Sequence, residues 1–245
     1  MNDDTPDAET RLTRIERLLE SGERELVPAW RRATRGESRW VVTVVILAAV
    51  ALQWSLPHRL VLLRPVWAPP ALELALLAGL VAGNPRRVEP RTRKLRMLGL
   101  ALTGVITVAN GWAAVRLVGD LVTGGAGDEA VPLLLTGGVI WVTNVIVFAL
   151  WYWEWDRGGP MARVRGRRQY ADFLFVQMQS PELAPPDWEP AFLDYLYLSF
   201  TNATAFSPTD VMPLTRWSKM LMMLQSSVSL VTVVLVVARA VNILK

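Results

Sequence analysis

Long uncharged apolar runs alternate with arginine-rich stretches along this chain. The first run, Trp40 to Leu56, contains no charged residue and carries tryptophans near both ends, where a bilayer places its headgroups. Four further apolar runs follow, a short one at 71–83 and long ones at 95–118, 132–153 and 220–241. A transmembrane helix needs about 20 mainly apolar residues. The pattern therefore predicts an all-α fold, a polytopic membrane helical bundle with five to six transmembrane segments.

The polar start of the chain differs from the spans that follow it. Residues 1–39 carry apolar side chains at helical spacing among many charges, which predicts a short amphipathic N-terminal helix. This arm either lies on the membrane face, which is the preferred interpretation, or pairs with a partner as a short coiled coil. The rest divides into a four-helix transmembrane region at 40–156, a basic and then Pro-rich loop at 157–190, and a pore-like segment with a final transmembrane helix at 191–245.

Basic residues alternate between the predicted connections. Arginine clusters precede the first run, separate the second from the third, and follow the fourth, whereas the connection at 119–131 has three acids and no basic residue. Basic residues in short loops stay in the cytoplasm. This alternation predicts a multi-pass protein of the cell inner membrane or plasma membrane, with a cytoplasmic N-terminus.

Composition narrows the chemistry of the chain. There is no cysteine and one histidine, His58, so thiolate metal sites and cysteine nucleophiles are excluded and no Ser/His/Asp set is evident. The net charge of +4 comes from arginines beside apolar runs, which indicates membrane lipids rather than nucleic acid as partners. Because the sequence also has no phosphate-binding glycine loop, we expect neither an enzyme nor a bound cofactor.

Four polar side chains interrupt the apolar runs, and these are Glu73, Asn110, Asn144 and Gln225. Polar groups are costly in lipid and face either protein or a water-filled cavity. Two interpretations follow. These side chains line a path for a solute or an ion, or they hydrogen-bond one helix to another. For Glu73 the second interpretation is preferred.

One specific motif lies near the C-terminus. Residues 199–213 read SFTNATAFSPTDVMP and precede a long apolar run. This frame resembles the pore segment of potassium channels, in which a pore helix leads into a glycine-containing filter and then into an inner helix. The resemblance implies a pore-like site formed by Asp194, Ser199, Thr201, Asn202, Thr204, Phe206, Ser207, Thr209 and Asp210. For Asp210 alone, a role as the N-cap of the final helix is an equal alternative.

The filter positions depart from the potassium-channel pattern. Ser207 and Thr209 stand where the filter has glycines, and Pro208 lies between them. Glycine adopts backbone angles that other residues reach only with strain, and proline fixes φ. The ring of carbonyls that binds a dehydrated potassium ion is therefore not expected, and the usual potassium selectivity is not predicted.

The same stretch is similar to a second family, a bacterial integral membrane family of unknown function (domain of unknown function 1345). The residues that follow its order are Asp194, Tyr195, Tyr197, Ser199, Phe200, Thr204, Phe206, Thr209 and Asp210. This match tolerates the loss of the filter glycines. It implies a membrane location and a fold but no activity.

The placement of the motif in the membrane has two solutions. A potassium-type loop enters from the outside, yet the arginines after Trp155 put the end of the fourth span inside. Either 188–207 crosses the membrane as a sixth segment, which is the preferred solution, or the loop enters from the cytoplasm and returns there.

The sequence supports two classes of function. One is a channel- or transporter-like membrane protein in which the motif lines a polar path, with an inorganic cation and further copies of the chain as candidate partners. The alternative is a non-transporting membrane scaffold or envelope protein that acts through its N-terminal arm.

Overall fold

The computed structural model describes residues 37–83, 93–125, 127, 129–164, 170–204 and 210–244. Most of the predicted amphipathic arm, at 1–36, therefore lies outside the described residues. Three residues of the predicted pore-like motif, Phe206, Ser207 and Thr209, also lie outside them.

Helices form most of the described chain, which confirms the predicted all-α class. In chain order the elements are α1 (Arg39–Trp54), α2 (Ala68–Gly83), α3 (Arg93–Thr123), α4 (Ala130–Trp155), α5 (Pro160–Val164), β1 (Phe173–Phe175), α6 (Val176–Gln179), α7 (Phe192–Thr204), β2 (Val211–Pro213) and α8 (Arg216–Ile243). Short 3-10 turns occur at His58–Leu60, Asp156–Gly158 and Pro181–Leu183.

Helix α4 lies at the centre of the bundle and contacts α1, α3, α7 and α8. Every residue from Thr143 to Leu150 is buried. The stretch is apolar on all sides apart from Thr143 and Asn144, and a helix with this composition is stable only when other helices or lipid surround it. Its central position follows from that composition.

The first three helices pack against one another in antiparallel order. Arg39, at the start of α1, donates a hydrogen bond from Nη1 to the backbone oxygen of Leu80, near the end of α2. Gly83 ends α2 against Leu95 of α3, so closely that a Cβ at this glycine would collide with the leucine side chain. Trp151 of α4 then donates a hydrogen bond from Nε1 to Thr107 Oγ1 of α3, at 2.8 Å.

Three helices, α3, α4 and α8, are long and apolar enough to cross a membrane. Their outward faces carry exposed apolar side chains such as Val115, Leu135 and Val234, which is typical of a surface that meets lipid. These features support an all-α membrane protein. Helices α1 and α2 are apolar but have 16 residues each, about 24 Å in length, whereas the hydrocarbon core is about 30 Å thick. The predicted crossings by α1 and α2 stay predictions.

The predicted sixth crossing at 188–207 stays a prediction, and helix α7 covers only part of that range. It has 13 residues, about 20 Å in length, which is too short for the hydrocarbon core. Strands β1 and β2, which precede and follow it, pair antiparallel, with Phe173 opposite Pro213 and Phe175 opposite Val211. After α7 the chain therefore returns to the place it left, beside the end of α4. The structure favours the alternative in which the motif enters and leaves on one side.

Candidate functional site

Polar side chains of the pore-like motif meet inside the bundle, between α4, α7 and α8. Gln225 Nε2 donates hydrogen bonds to the backbone oxygen of Ser199 at 2.9 Å and to its Oγ at 2.7 Å. Asn202 Nδ2 and Tyr152 Oη both donate to Gln225 Oε1, at 2.9 and 2.5 Å. Ser199 Oγ donates to the backbone oxygen of Val145, at 2.6 Å. All these side chains have partners, and the network joins three helices.

Asn144 adds a second polar link between α4 and α8. Its Nδ2 donates a hydrogen bond to Ser229 Oγ at 3.1 Å, and both residues are buried. For Asn144 and Gln225 the geometry therefore favours hydrogen bonding between helices over a solute path.

Three other motif residues make bonds within α7 or at its start. Asp194 Oδ2 accepts the backbone N–H of Ala191 at 2.8 Å, which is one half of a capping box. Burial raises the pKa of the Asp194 carboxyl, and the hydrogen bond from Ala191 partly offsets this rise. The hydroxyls of Thr201 and Thr204 donate to backbone oxygens of α7 itself. These contacts stabilise the helix locally.

Asp210 lies beside α7 and does not cap the final helix. Helix α8 begins at Arg216, and Thr215 occupies the N-cap position. The charge of Asp210 raises the pKa of the Tyr197 hydroxyl in α7. Its Oδ1 is buried and accepts no hydrogen bond from any part of the chain that the structure describes.

A charged cluster that the sequence analysis did not single out closes the C-terminal end of α4. The fully buried carboxylate of Asp156 accepts the backbone N–H groups of Asp172 and Phe173, at 3.0 and 3.3 Å. It also accepts the Tyr195 hydroxyl at 2.6 Å. Asp172 Oδ2 in turn accepts the backbone N–H of Arg157 at 2.7 Å. The cluster thus attaches both β1 and α7 to the end of α4.

Arg163 completes this charged cluster. Its Nη1 donates to the backbone oxygens of Trp153 and Asp156, at 2.6 and 3.0 Å, and its guanidinium lies 5.3 Å from the centre of the Tyr195 ring. Because acids and arginines are matched and hydrogen-bonded, we assign the cluster a structural role. The one signal in the sequence is Gly158-Gly159-Pro160 directly after α4, where Gly159 has a φ of 94°.

A cleft lies among α1, α2, α3 and α4 at this same end of the bundle, which we call the α4 C-terminal end. Its lining includes the charged side chains of Arg39, Arg96 and Glu154 and the hydroxyl groups of Thr43 and Thr103. Glu154 is buried, and the positive charges of Arg163, Arg96 and Arg39 act on it. The charges in this cleft are therefore balanced by neighbours.

Glu73 of α2 is different, because its buried carboxyl has no such neighbours. The side chain is 0 % exposed, and neither Oε1 nor Oε2 makes a hydrogen bond to any of the described residues. Gln53 of α1 faces this carboxyl and is 6 % exposed. Its Nε2 is also without a partner among them. The preferred interpretation of Glu73, a hydrogen bond between helices, stays a prediction, and Gln53 of α1 is the side chain placed to make that bond.

Asn110 of α3 belongs to the same class as Glu73. It is 3 % exposed, and its Oδ1 accepts no hydrogen bond within the described ranges. The four predicted intramembrane polar residues thus form two classes. Asn144 and Gln225 hydrogen-bond to residues of neighbouring helices. Glu73 and Asn110 have side-chain oxygens without a hydrogen bond in the described ranges.

A second cavity lies toward the opposite end of the bundle, which we call the α4 N-terminal end. Its volume is about 20 Å³, and its lining includes Gln53, Leu60, Pro69, Pro70 and Ala109. A space of this size holds one water molecule. Gln53 is the polar side chain that connects this cavity to the surroundings of Glu73.

Glu73 lies between the cleft and this second cavity along α2. The buried stripe of α2 consists of Pro69, Pro70, Glu73, Leu77 and Leu80. The two prolines line the second cavity, and the two leucines line the cleft. Sequence analysis found Glu73 as a polar interruption. Its position between two cavities depends on how three helices pack, which the sequence pattern does not specify.

Side chains that commonly bind metal ions are sparse around Glu73 in the described part of the chain. Nowhere in the described ranges do three or more His, Cys, Asp or Glu side chains lie close enough to hold a metal ion. Glu73 offers a single carboxyl, with one neutral amide opposite it.

Comparison with known proteins adds no family to this geometry. No protein-family model matches the chain, and no curated protein and no solved structure matches it either. The resemblance of the C-terminal stretch to the bacterial membrane family stays a prediction, and the site is interpreted from its own residues.

Proposed function

We propose that this chain is a channel- or transporter-like membrane protein whose polar path runs between α1, α2 and α3. The observation that carries the proposal is the buried carboxyl of Glu73, which lies between two cavities at opposite ends of the bundle and makes no hydrogen bond to the described residues. Intramembrane ionisable residues are costly, and where they occur they commonly mark paths for ions or protons. An inorganic cation is the transported species that fits a single carboxyl.

The proposed path is closed in this conformation. Between the cleft and the second cavity, the buried faces of α1 and α3 carry Ala49, Val50 and Ile106. These apolar side chains separate the two cavities, as expected of a protein that opens to one side at a time. Passage requires α1 or α2 to shift against α3.

The proposal includes five crossings, by α1, α2, α3, α4 and α8, with the N-terminus in the cytoplasm. Several basic residues lie near the α4 C-terminal end, namely Arg39, Lys94, Arg96, Arg157, Arg163, Arg216 and Lys219. The connection between α3 and α4 at the other end contributes acids and no basic residue. By the distribution of basic residues, the α4 C-terminal end faces the cytoplasm.

In this proposal the pore-like motif braces the bundle and does not form a filter. Ser199 and Asn202 use their polar atoms on α4 and α8, which leaves them unavailable to an ion. The usual potassium selectivity is therefore not part of the function. Because the path lies within one copy of the chain, the proposed function does not require a homo-oligomer.

Cation flux into reconstituted vesicles tests this function. We expect vesicles with the full chain to carry protons or another monovalent cation faster than protein-free vesicles. Glu73→Gln, which keeps the shape of the side chain, should slow the flux by about a hundredfold, as is typical when a proton-transferring group is lost. Thr204→Val, on the exposed end of α7, serves as the matched control and should leave the flux unchanged.

Two results would contradict the proposal. If Thr204→Val or Asp210→Asn slows the flux and Glu73→Gln does not, the path runs along the motif. If vesicles with correctly folded protein stay impermeable to each cation, the scaffold alternative gains, and removal of residues 1–36 should then abolish binding of a partner.

A further inference from the structure

We propose that the Glu73 carboxyl is a proton-binding site inside the membrane region, and that Gln53 is its positioning residue. The inference deepens the proposed function, and transport of the bound proton rests on that function. Proton binding itself is measurable without transport. The proposal stands on burial, on missing partners and on the adjoining cavity.

Burial without partners decides the charge state of this carboxyl. An ionised carboxylate that loses water and gains no hydrogen bond or counter-charge is disfavoured by far more than a neutral acid is. Glu73 is fully buried, and neither of its oxygens has a donor in the described chain. The neutral acid therefore suits this environment, and ionisation requires an incoming cation or water.

No charged side chain of the packed elements compensates Glu73. On α1 the charged group is Arg39, which is hydrogen-bonded at Leu80, two turns along α2 from Glu73. On α3 the charged groups whose side chains the structure describes lie toward the two ends of that helix, and these are Lys94, Arg96, Arg116 and Asp120. On α4, Glu154 is surrounded by arginines at the α4 C-terminal end. The two influences on the Glu73 carboxyl are its burial and the neighbouring amide of Gln53, and these act in opposite directions.

Gln53 suits both protonation states of the carboxyl. A side-chain amide has a carbonyl oxygen that accepts a hydrogen bond and an NH₂ group that donates. The amide oxygen fits a protonated Glu73, and the amide nitrogen fits an ionised one. Gln53 also lines the second cavity, so it connects the carboxyl to a space where one water molecule fits.

The contrast with Asp156 and Asp172, two buried acids that accept hydrogen bonds, supports this assignment. Asp156 accepts hydrogen bonds from two backbone N–H groups and a tyrosine hydroxyl. Asp172 accepts them from Arg157 N and from Trp217 Nε1. Both acids thus have donors that stabilise the ionised form. Glu73 has none within the described residues, so it is distinguishable from them by its reactivity.

The test uses dicyclohexylcarbodiimide, a lipid-soluble reagent that modifies protonated carboxylic acids. The full chain in detergent micelles is treated across a pH series, and modified peptides are identified by mass spectrometry. We expect Glu73 to react near neutral pH, and the rate to fall by about tenfold for each pH unit above the titration midpoint. Asp120, which pairs with Arg59 at 3.7 Å near the surface, is the control acid and should not react.

A variant of Gln53 tests its positioning role. Gln53→Leu removes the amide that faces Glu73 and whose nitrogen suits the ionised carboxylate, so the midpoint of the labelling curve should move to higher pH. An unchanged midpoint in a folded variant would overturn that role. If this variant does not fold, Gln53→Met, which keeps the length of the side chain, tests the same role. The infrared band of the protonated carboxyl, which Glu73→Gln should lose, gives the midpoint without the reagent.

Three outcomes would overturn proton binding at Glu73. In the first, the reagent leaves Glu73 unmodified at pH 6 while it modifies other membrane-buried positions. In the second, the rate of modification of Glu73 is equal at pH 6 and pH 9. In the third, sodium or potassium ions protect Glu73 at constant pH. The last outcome would assign the site to a metal cation. If Glu73 is labelled but the vesicles are impermeable to cations, the proton site stands and the transport function is rejected. If cations cross but Glu73 is not labelled, the transport function stands and the proton site is rejected.

Discussion

At the scale of single residues, the buried polar groups of this bundle divide according to whether a neighbouring helix supplies a partner. Gln225 uses both ends of its amide, toward Ser199 on one side and toward Tyr152 and Asn202 on the other. Glu73 has a comparable depth of burial and no such partner in the described chain. A satisfied network makes the bundle rigid, whereas an unsatisfied carboxyl is a candidate site for a bound proton or cation.

The Gln225 network gives a prediction about stability. Gln225→Leu leaves the Tyr152 hydroxyl without its acceptor and removes the bonds to Ser199. Interhelical hydrogen bonds in membrane bundles contribute about 0.6–2 kcal/mol, so we expect the free energy of unfolding to fall by about 2 kcal/mol. Thermal or denaturant unfolding in detergent measures this change.

The control for that prediction lies two residues further along α8. Ser227 is exposed, and its hydroxyl donates only to the backbone oxygen of Met223. Ser227→Ala should therefore leave the unfolding midpoint nearly unchanged. An equal loss of stability in both variants would show that the network contributes nothing specific.

At the scale of elements, the strand pair decides the path of α7. Strands of three residues add little stability by themselves, but β1 is also fixed to α4 through the carboxylate of Asp156. The start of α7 is held in the same region, since Glu37 Oε1 accepts the backbone N–H of Phe192 at 2.6 Å. Burial raises the pKa of Glu37, and this hydrogen bond acts in the opposite direction. Helix α7 is thus attached at the α4 C-terminal end.

This arrangement predicts on which side of the membrane two exposed positions lie. The chain has no cysteine, so Glu182→Cys and Met212→Cys each introduce a unique thiol, one before α7 and one after it. We expect an impermeant thiol reagent to label both from the same side, because β1 and β2 are paired. Labelling of the two positions from opposite sides of sealed vesicles would restore the sixth crossing.

At the scale of the whole molecule, the apolar runs predicted the long helices well. The run at 132–153 corresponds to α4 at Ala130–Trp155, and the run at 95–118 to the longer α3 at Arg93–Thr123. Helix α3 extends past its apolar run at both ends through charged residues such as Lys94 and Asp120, which suit the headgroup region. Length and hydropathy are local properties, which is why a single sequence reveals them.

The path of the C-terminal third was not predictable in the same way. Its fold depends on Asp156 meeting the backbone of Asp172 and Phe173 and the hydroxyl of Tyr195, contacts that join distant parts of the chain. The apolar residues of α7 suit a short helix inside the bundle as well as part of a crossing helix. For Glu73 the sequence shows a carboxyl in an apolar run, but the absence of a donor is a property of the packed bundle.

The direction of α8 is a whole-molecule prediction that can be measured. This helix has 28 residues, about 42 Å in length, which is enough to cross the bilayer. Leu244, exposed at its end, should therefore lie on the side opposite to Met212. We expect Leu244→Cys to be labelled only from the side where Met212→Cys is protected. If both are labelled from one side, α8 does not cross.

The pairing of β1 with β2 has a consequence for how this protein tolerates change. Because β1 and β2 are hydrogen-bonded to each other, the backbone at β2 has returned to the place that it left at β1. An insertion or deletion between β1 and β2 that keeps the two strands paired does not change whether the number of membrane crossings before α8 is odd or even. We therefore expect the direction in which α8 crosses the membrane to be independent of the length of the segment between the two strands.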